Sequence, residues 1–296
     1  MLAEPSTIRT VGVIGIGQMG KGIAHVCARA GLNVRLRDLN GDLTNAGFTA
    51  IREMLAGLVS KGSLSDEDRR KELSLITLTT AYEHLAPCDL VIETATEDET
   101  VKREIFADIC PALKPDTIIA TNSSSISITR LAAATDRPER FIGMHFMNPA
   151  PAIQLVELVR GIATEDITFA VANQFVGLLG KTAVAAADFP AFIVNRTLVS
   201  MINEAVYVLY EGVGSVNAID TAMQLGANHP MGPLELADFL GLDTCLSLMQ
   251  ALHEGLADTK YRPCPLLVKY VAAGWLGRKT KRGFYDYRGN IVVPTR

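Results

Sequence analysis

The chain has 296 residues, 48% of them hydrophobic, and a formal net charge of −4 with both signs interspersed. That length suggests roughly two domains, the apolar content excludes a disordered chain, and the absence of a basic face argues against a nucleic-acid partner. Five scattered cysteines with no CxxC pair predict neither a disulfide framework nor a metal site, and the opening MLAEPSTIRT and the lack of a long apolar run predict a cytoplasmic protein without membrane association.

The first predicted unit is TVGVIGIGQMGKGIAHVCARAGLNVRLRDLN. Val11, Val13 and Ile14 form a short apolar strand, and Gly15, Gly17 and Gly20 give G-x-G-x-x-G with Gln18 and Met19 inside it. A helical pattern runs from Lys21 to Ala30 and ends at Gly31. A second strand closes at Asp38. This strand–loop–helix–strand order is what a dinucleotide fingerprint requires. Gly15 makes the tight turn, Gly17 lets the backbone approach a pyrophosphate, and Gly20 lets helix and strand pack closely. The pyrophosphate is expected on the helix N-terminus. Asp38 is placed to hold the adenosine ribose, which favours NAD over NADP, although Arg35 and Arg37 nearby leave NADP open.

Residues 42–73 read as two helices around the turn KGSLSDED, with Ser65 as an N-cap. The bases there, Arg52, Lys61, Arg69, Arg70 and Lys71, are either a solvated face or a hairpin that meets a phosphate-bearing substrate. CDLVIETATED gives a strand from Asp89 to Ala95 with Glu97 just past its end, and a helix from about Thr100 with Lys102 one turn in. DTIIATNSSSIS repeats the pattern, a strand over 117–121 followed by Asn122, Ser123 and Ser124; Ser125 and Ser127 read as turn and cap residues. RFIGMHF is another apolar strand ending at His145.

The loop after His145 contains Asn148-Pro149 and Pro151, so the chain turns. IQLVELV then reads as a buried strand that carries Glu157, twelve residues beyond His145. A buried carboxylate needs a partner, and the histidine across the turn supplies one. By itself the pair is either a structural ion pair or a catalytic dyad. Polar strand ends at 38, 97, 122 and 145 suited to one crevice favour the second. After a strand at 182–186, Asp188-Phe189-Pro190 marks a boundary, with Pro190 suited to the first turn of a helix. The rest is mostly helical, and its apolar stripes serve as core or subunit interface. WLGRKTKRGFYDYRGN closes the chain as a basic turn and a short aromatic strand.

The blocks VGVIGIGQMGKGIA, TNSSSISIT, RFIGMHFMNPAP, QLVELV, FIVNR, NEA, EGVGS, GANHPMGPLELAD and GWLGRKTKRGFYDY, in that order, resemble the short-chain L-3-hydroxyacyl-CoA dehydrogenases nearly end to end. Within that family they are most similar to the bacterial enzymes for a four-carbon acyl chain. The resemblance implies an α/β fold. A Rossmann-type doubly wound sheet with a helical hairpin insertion would cover residues 1–187, and an all-α C-terminal domain would cover 188–296 and pair two subunits in a homodimer. It implies NAD as cofactor and an acyl-CoA substrate. His145 would be the catalytic base and Glu157 its orienting partner. Ser124, Asn148 and Asn195 would contact the substrate, and Glu97, Lys102 and Asn122 would lie near the nicotinamide end. Ser60 and Lys61 match the region that meets CoA. Where the family has glycine, this chain has Ala191, which costs little unless the backbone there needs a positive φ. A same-family enzyme for 3-hydroxyadipyl-CoA or a sugar acid, a non-catalytic nucleotide sensor and a recruited structural protein are the other readings.

Overall fold

The computed structural model describes residues 8–295; most of the opening MLAEPSTIRT, on which the cytoplasmic expectation partly rests, lies outside them. The chain divides into two compact units, residues 1–189 and 190–296.

The first unit begins with β1 (Thr10–Ile14), α1 (Gln18–Arg29) and β2 (Asn33–Arg37). The helix starts three residues earlier than its sequence pattern predicts, because Gly17 already has the extended N-cap conformation. A helical hairpin, α2 (Gly41–Ser60) and α3 (Asp66–Ser74), precedes β3 (Ile76–Thr79). Ser65 caps α3 by accepting the Asp68 N–H, as its sequence predicts. Then come β4 (Leu90–Glu93), α4 (Glu99–Ile109), β5 (Ile118–Thr121) and α5 (Ile128–Ala132). The unit closes with β6 (Phe141–Phe146), β7 (Leu155–Arg160), α6 (Asp166–Leu178) and β8 (Thr182–Ala187).

The eight strands form one sheet in the order β3-β2-β1-β4-β5-β6-β7-β8. All neighbours are parallel except β6 and β7, which run antiparallel. The chain winds outward from β1 to β3, returns, and continues from β4 on the other side of β1. That reversal opens a crevice at the strands' carboxyl ends, the ligand site of open α/β sheets. The central strands are apolar runs buried on both faces, as a helix-covered parallel sheet requires.

The second unit holds α7 (Val194–Tyr210), α8 (Val216–Gly226), α9 (Pro233–Leu240), α10 (Leu242–Leu256) and α11 (Pro265–Ala272). A two-stranded ribbon, β9 (Tyr285–Asp286) with β10 (Val293–Pro294), ends it. Pro190 is not in a first helical turn: it opens a turn four residues ahead of α7. That turn has Ala191 at φ 60° and Phe192 at φ 51°, so the condition attached to alanine at 191 is met. Its methyl is fully buried beside Val199, Met249, Leu252 and Tyr261, and that burial offsets part of the left-handed strain. The basic close is spent on local ion pairs, Arg278 with Glu235 and Lys279 with Asp243. All five cysteines are free and buried.

Candidate active site

The antiparallel pairing of β6 with β7 sets His145 directly opposite Glu157. Residues opposite each other project from the same face, and a one-residue slip would separate them. Here His145 Nδ1 lies 2.7 Å from Glu157 Oε2. Glu157 is fully buried, because β7 is an inner strand between β6 and β8, and His145 is 6% exposed. A carboxylate on Nδ1 requires the proton there, which makes Nε2 the basic nitrogen of a neutral ring.

The loop that carries Asn148 joins these two strands and is held from two sides. Lys181, buried just ahead of β8, donates to the carbonyls of Ala150 and Ile153 at 2.7 and 2.6 Å. Burial pushes its ammonium pKa down. On the other side a Cβ at Gly22 of α1 would come within 3.1 Å of Ala150 and 3.2 Å of Pro151, so loop and helix touch. At the start of α1, the Gln18 side-chain amide donates to Asn148 Oδ1 at 3.1 Å. The glycine-rich helix and the His145 loop are thereby one construction.

The glycine loop fits a dinucleotide. A Cβ on Gly20 would sit 1.8 Å from the Gly15 carbonyl oxygen, so that position is closed by the protein itself. At Gly17, by contrast, a Cβ would meet nothing within 4 Å. The protein leaves room there, at the N-terminus of a twelve-residue helix, where an anion is favoured. Next to it lies a cavity of about 330 Å³ lined by Gly15, Gly17, Asp38, Tyr82, Ala95 and Val101, among others. Asp38 is fixed in its wall: Oδ2 accepts the Ile16 N–H and Oδ1 the Leu39 N–H, both at 2.7 Å. Arg37 also lines this cavity, but its guanidinium is already engaged. It is 8% exposed, stacks 3.9 Å from the centre of the Tyr82 ring, and donates to the Thr80 carbonyl. Met19 packs against the hydrophobic core beneath.

Farther along the strand ends, Asn122 follows β5 and its Oδ1 accepts the Phe146 N–H, tying it to the end of β6. Glu97 gathers the serine loop. Its Oε1 accepts the N–H groups of Ser124 and Ser125 at 2.8 and 3.1 Å, and the hydroxyls of Ser123, Ser124 and Ser125 at 2.8 to 3.1 Å. Ser125, read from sequence as a turn residue, is thus part of this cluster, while Ser127 caps α5. Lys102 lies beneath, 1% exposed, its Nζ 2.5 Å from Glu93 Oε2 and 4.0 Å from Glu97 Oε2. Glu93, the last residue of β4, is fully buried and was not singled out from sequence. The signal was the one that exposed Glu157: a carboxylate inside an apolar strand needs a partner. Lys181 gave no comparable signal, because its partners are backbone carbonyls.

Ser60 and Lys61 sit at the exposed end of α2; the Ser60 hydroxyl donates to the Gly57 carbonyl. Asn195 is the second residue of α7, in the helical unit.

The chain matches known proteins over nearly its whole length. Two family models match, described as the 3-hydroxyacyl-CoA dehydrogenase NAD binding domain over residues 10–189 and the 3-hydroxyacyl-CoA dehydrogenase C-terminal domain over 192–287. A 3-hydroxybutyryl-CoA dehydrogenase of Bradyrhizobium diazoefficiens is 65% identical, covering 98% of this chain and 99% of the relative. One from Clostridioides difficile is 45% identical over 93% of this chain and 98% of its own. The crystal structure of an (S)-3-hydroxybutyryl-CoA dehydrogenase from Ralstonia eutropha superposes with a TM-score of 0.94 at 48% identity, covering 96% of this chain and all of that one. The chain belongs to the 3-hydroxyacyl-CoA dehydrogenase family and is an NAD-dependent oxidoreductase.

Proposed function

We propose that the protein interconverts an (S)-3-hydroxyacyl-CoA and the 3-ketoacyl-CoA, with (S)-3-hydroxybutyryl-CoA as its substrate. The observation that carries the chemistry is the His145–Glu157 pair beside a dinucleotide crevice. The identities of the full-length relatives carry the substrate. When bound, the nicotinamide supplies the acceptor for the hydride that leaves C3. His145 takes the hydroxyl proton at Nε2. Glu157 holds the tautomer that makes Nε2 basic and stabilises the imidazolium that forms; a positioned base of this kind is worth roughly 10²–10⁴-fold in rate. In the reverse direction the same nitrogen returns the proton.

Ser124 and Asn148 are assigned to the reacting oxygen, and Asn195 of the helical unit to substrate contact. Gly15, Gly17, Gly20, Gln18 and Met19 form the pyrophosphate cradle and Asp38 takes the ribose hydroxyls. Glu97 and Asn122 serve the nicotinamide end directly and Lys102 from below. Ser60 and Lys61 are assigned to the CoA end. We further propose a cytoplasmic homodimer formed through the helical unit. Its α8 presents exposed Ala218 and Ala222 beside Met201, Val208 and Met223, an apolar groove of about 490 Å³. No helix among the described residues is long and apolar enough to cross a membrane.

A steady-state panel tests the reading: acetoacetyl-CoA, longer and carboxylated 3-ketoacyl-CoAs, each with NADH and NADPH. The highest kcat/KM is expected for acetoacetyl-CoA with NADH. A carboxylated or long-chain substrate preferred by tenfold or more would reassign the substrate.

A further inference from the structure

Glu93, Lys102 and Glu97 form a row of alternating charge that runs from the buried end of β4 to the half-exposed Glu97 at the serine loop. Glu93 is fully buried and Lys102 is 1% exposed, whereas the Glu97 side chain is 43% exposed. Each member has a fixed task. Glu93 Oε1 accepts the Ala95 N–H at 2.7 Å, and its Oε2 takes Lys102 Nζ and the Thr121 hydroxyl. Lys102, with Glu93 on one side, stands 4.0 Å from Glu97 on the other. Glu97 holds the serine loop, including Ser124, through one oxygen. The row carries two negative charges and one positive, at the strand ends beyond the glycine loop.

An ion pair this deep costs desolvation that its attraction barely returns. An apolar pair would fill the same space without that cost. What charges supply and an apolar pair lacks is a field, strong where the dielectric is low. The reaction of this site changes charge: the oxidised nicotinamide is a cation and the reduced one is neutral. We propose that Glu93 is a positioning residue of the reaction. Through Lys102 it holds the row at net −1, which keeps Glu97 on the serine loop and favours the cationic, oxidised cofactor over the reduced one.

The proposal rests on the nucleotide site assigned above, and the test separates the two. Dissociation constants of NAD⁺ and NADH are measured by fluorescence or calorimetry on the full chain, without turnover. Glu93→Gln keeps the shape and the acceptor for Ala95 but removes one negative charge. It should raise the ratio Kd(NAD⁺)/Kd(NADH) on the order of tenfold, as one charge at about 10 Å does in an effective dielectric of about 20. The double variant Glu93→Gln/Lys102→Met restores the net charge and should return the ratio to within about twofold of wild type. A merely structural pair predicts that both affinities fall by one factor with the ratio unmoved, and that result overturns the proposal. Should the lone Glu93→Gln variant fail to fold, Glu97→Gln removes a charge from the half-exposed end of the row. It must shift the ratio the same way, and an unmoved ratio there also overturns the proposal. Failure of the wild-type protein to bind NADH would instead overturn the nucleotide site, and this inference with it.

Discussion

Asp38 and Arg37 stand side by side at the end of β2, and their sequence leaves cofactor choice open between a ribose acceptor and a phosphate receptor. The structure separates them by what each is bonded to. Asp38 is oriented by two backbone N–H groups and keeps acceptor capacity on both oxygens. Arg37 is stacked on Tyr82 and bonded to a carbonyl. Removing the carboxylate therefore does not create a phosphate site. Asp38→Ser is expected to raise KM for NADH at least tenfold while kcat/KM with NADPH stays far below the wild-type value with NADH. A variant that preferred NADPH would show that Arg37 leaves its stack. At the same scale, Ala191 could be flagged from sequence but its conformation could not. A positive φ follows from the path of the whole turn into α7, and one residue type does not encode that path.

Among the elements, α1 meets the hairpin helix α3 through a buried pair. His25 Nε2 lies 3.2 Å from Glu72 Oε2, with His25 1% and Glu72 6% exposed. Burial, helped by Arg29, pushes the His25 pKa down to about 4. The neutral ring is therefore favoured by folding. Its contribution is fully present above the unfolded value of about 6.5 and is lost as pH falls toward 4. Over that window wild-type stability should drop by about 3 kcal/mol relative to His25→Gln, which is of similar size but does not titrate. Denaturant unfolding at pH 7, 5.5 and 4.5 reads this out, and parallel curves for the two proteins would contradict it.

Element content was legible wherever a local signal sufficed. The glycine loop, the Ser65 cap and the hairpin 42–73 all follow from punctuation and period. The short edge strand β3 and helix α6 stand outside that reading. Residues 76–79 are a four-residue run with no distinct period, and α6 has an apolar stripe broken by polar residues at its start. The antiparallel turn of β7 was implicit in the His145–Glu157 pairing across a proline loop, and the register confirms that those two residues meet. Glu93 carried the same signal as Glu157, a carboxylate in an apolar strand, but the sequence does not say that Lys102 answers it, and Lys181 carried no signal at all. Their partners come from other elements, so their meaning appears only when the sheet assembles.

On the scale of the whole molecule, the helical unit has more apolar surface than its own core consumes. Val213 lines the groove beside α8 and is 74% exposed, and Leu225 of α8 itself is 83% exposed. Monomeric proteins rarely leave such contiguous surface uncovered. Sedimentation at micromolar concentration should give a dimer, and Ala222→Arg, at an exposed position outside the core, should give a monomer that remains folded. A wild-type monomer at those concentrations would remove the dimer from the account. Catalysis is the other property of the assembled molecule, since strand register, loop and glycine helix all converge on one imidazole. The most direct measurement of that claim compares His145→Ala with wild type in acetoacetyl-CoA reduction and in NADH affinity. The variant's kcat should be lower by roughly 10²–10⁴-fold, with its NADH dissociation constant within about twofold of wild type. A variant that turns over at near the wild-type rate would contradict the role given to His145, and with it the reading of the His145–Glu157 pair as a catalytic dyad.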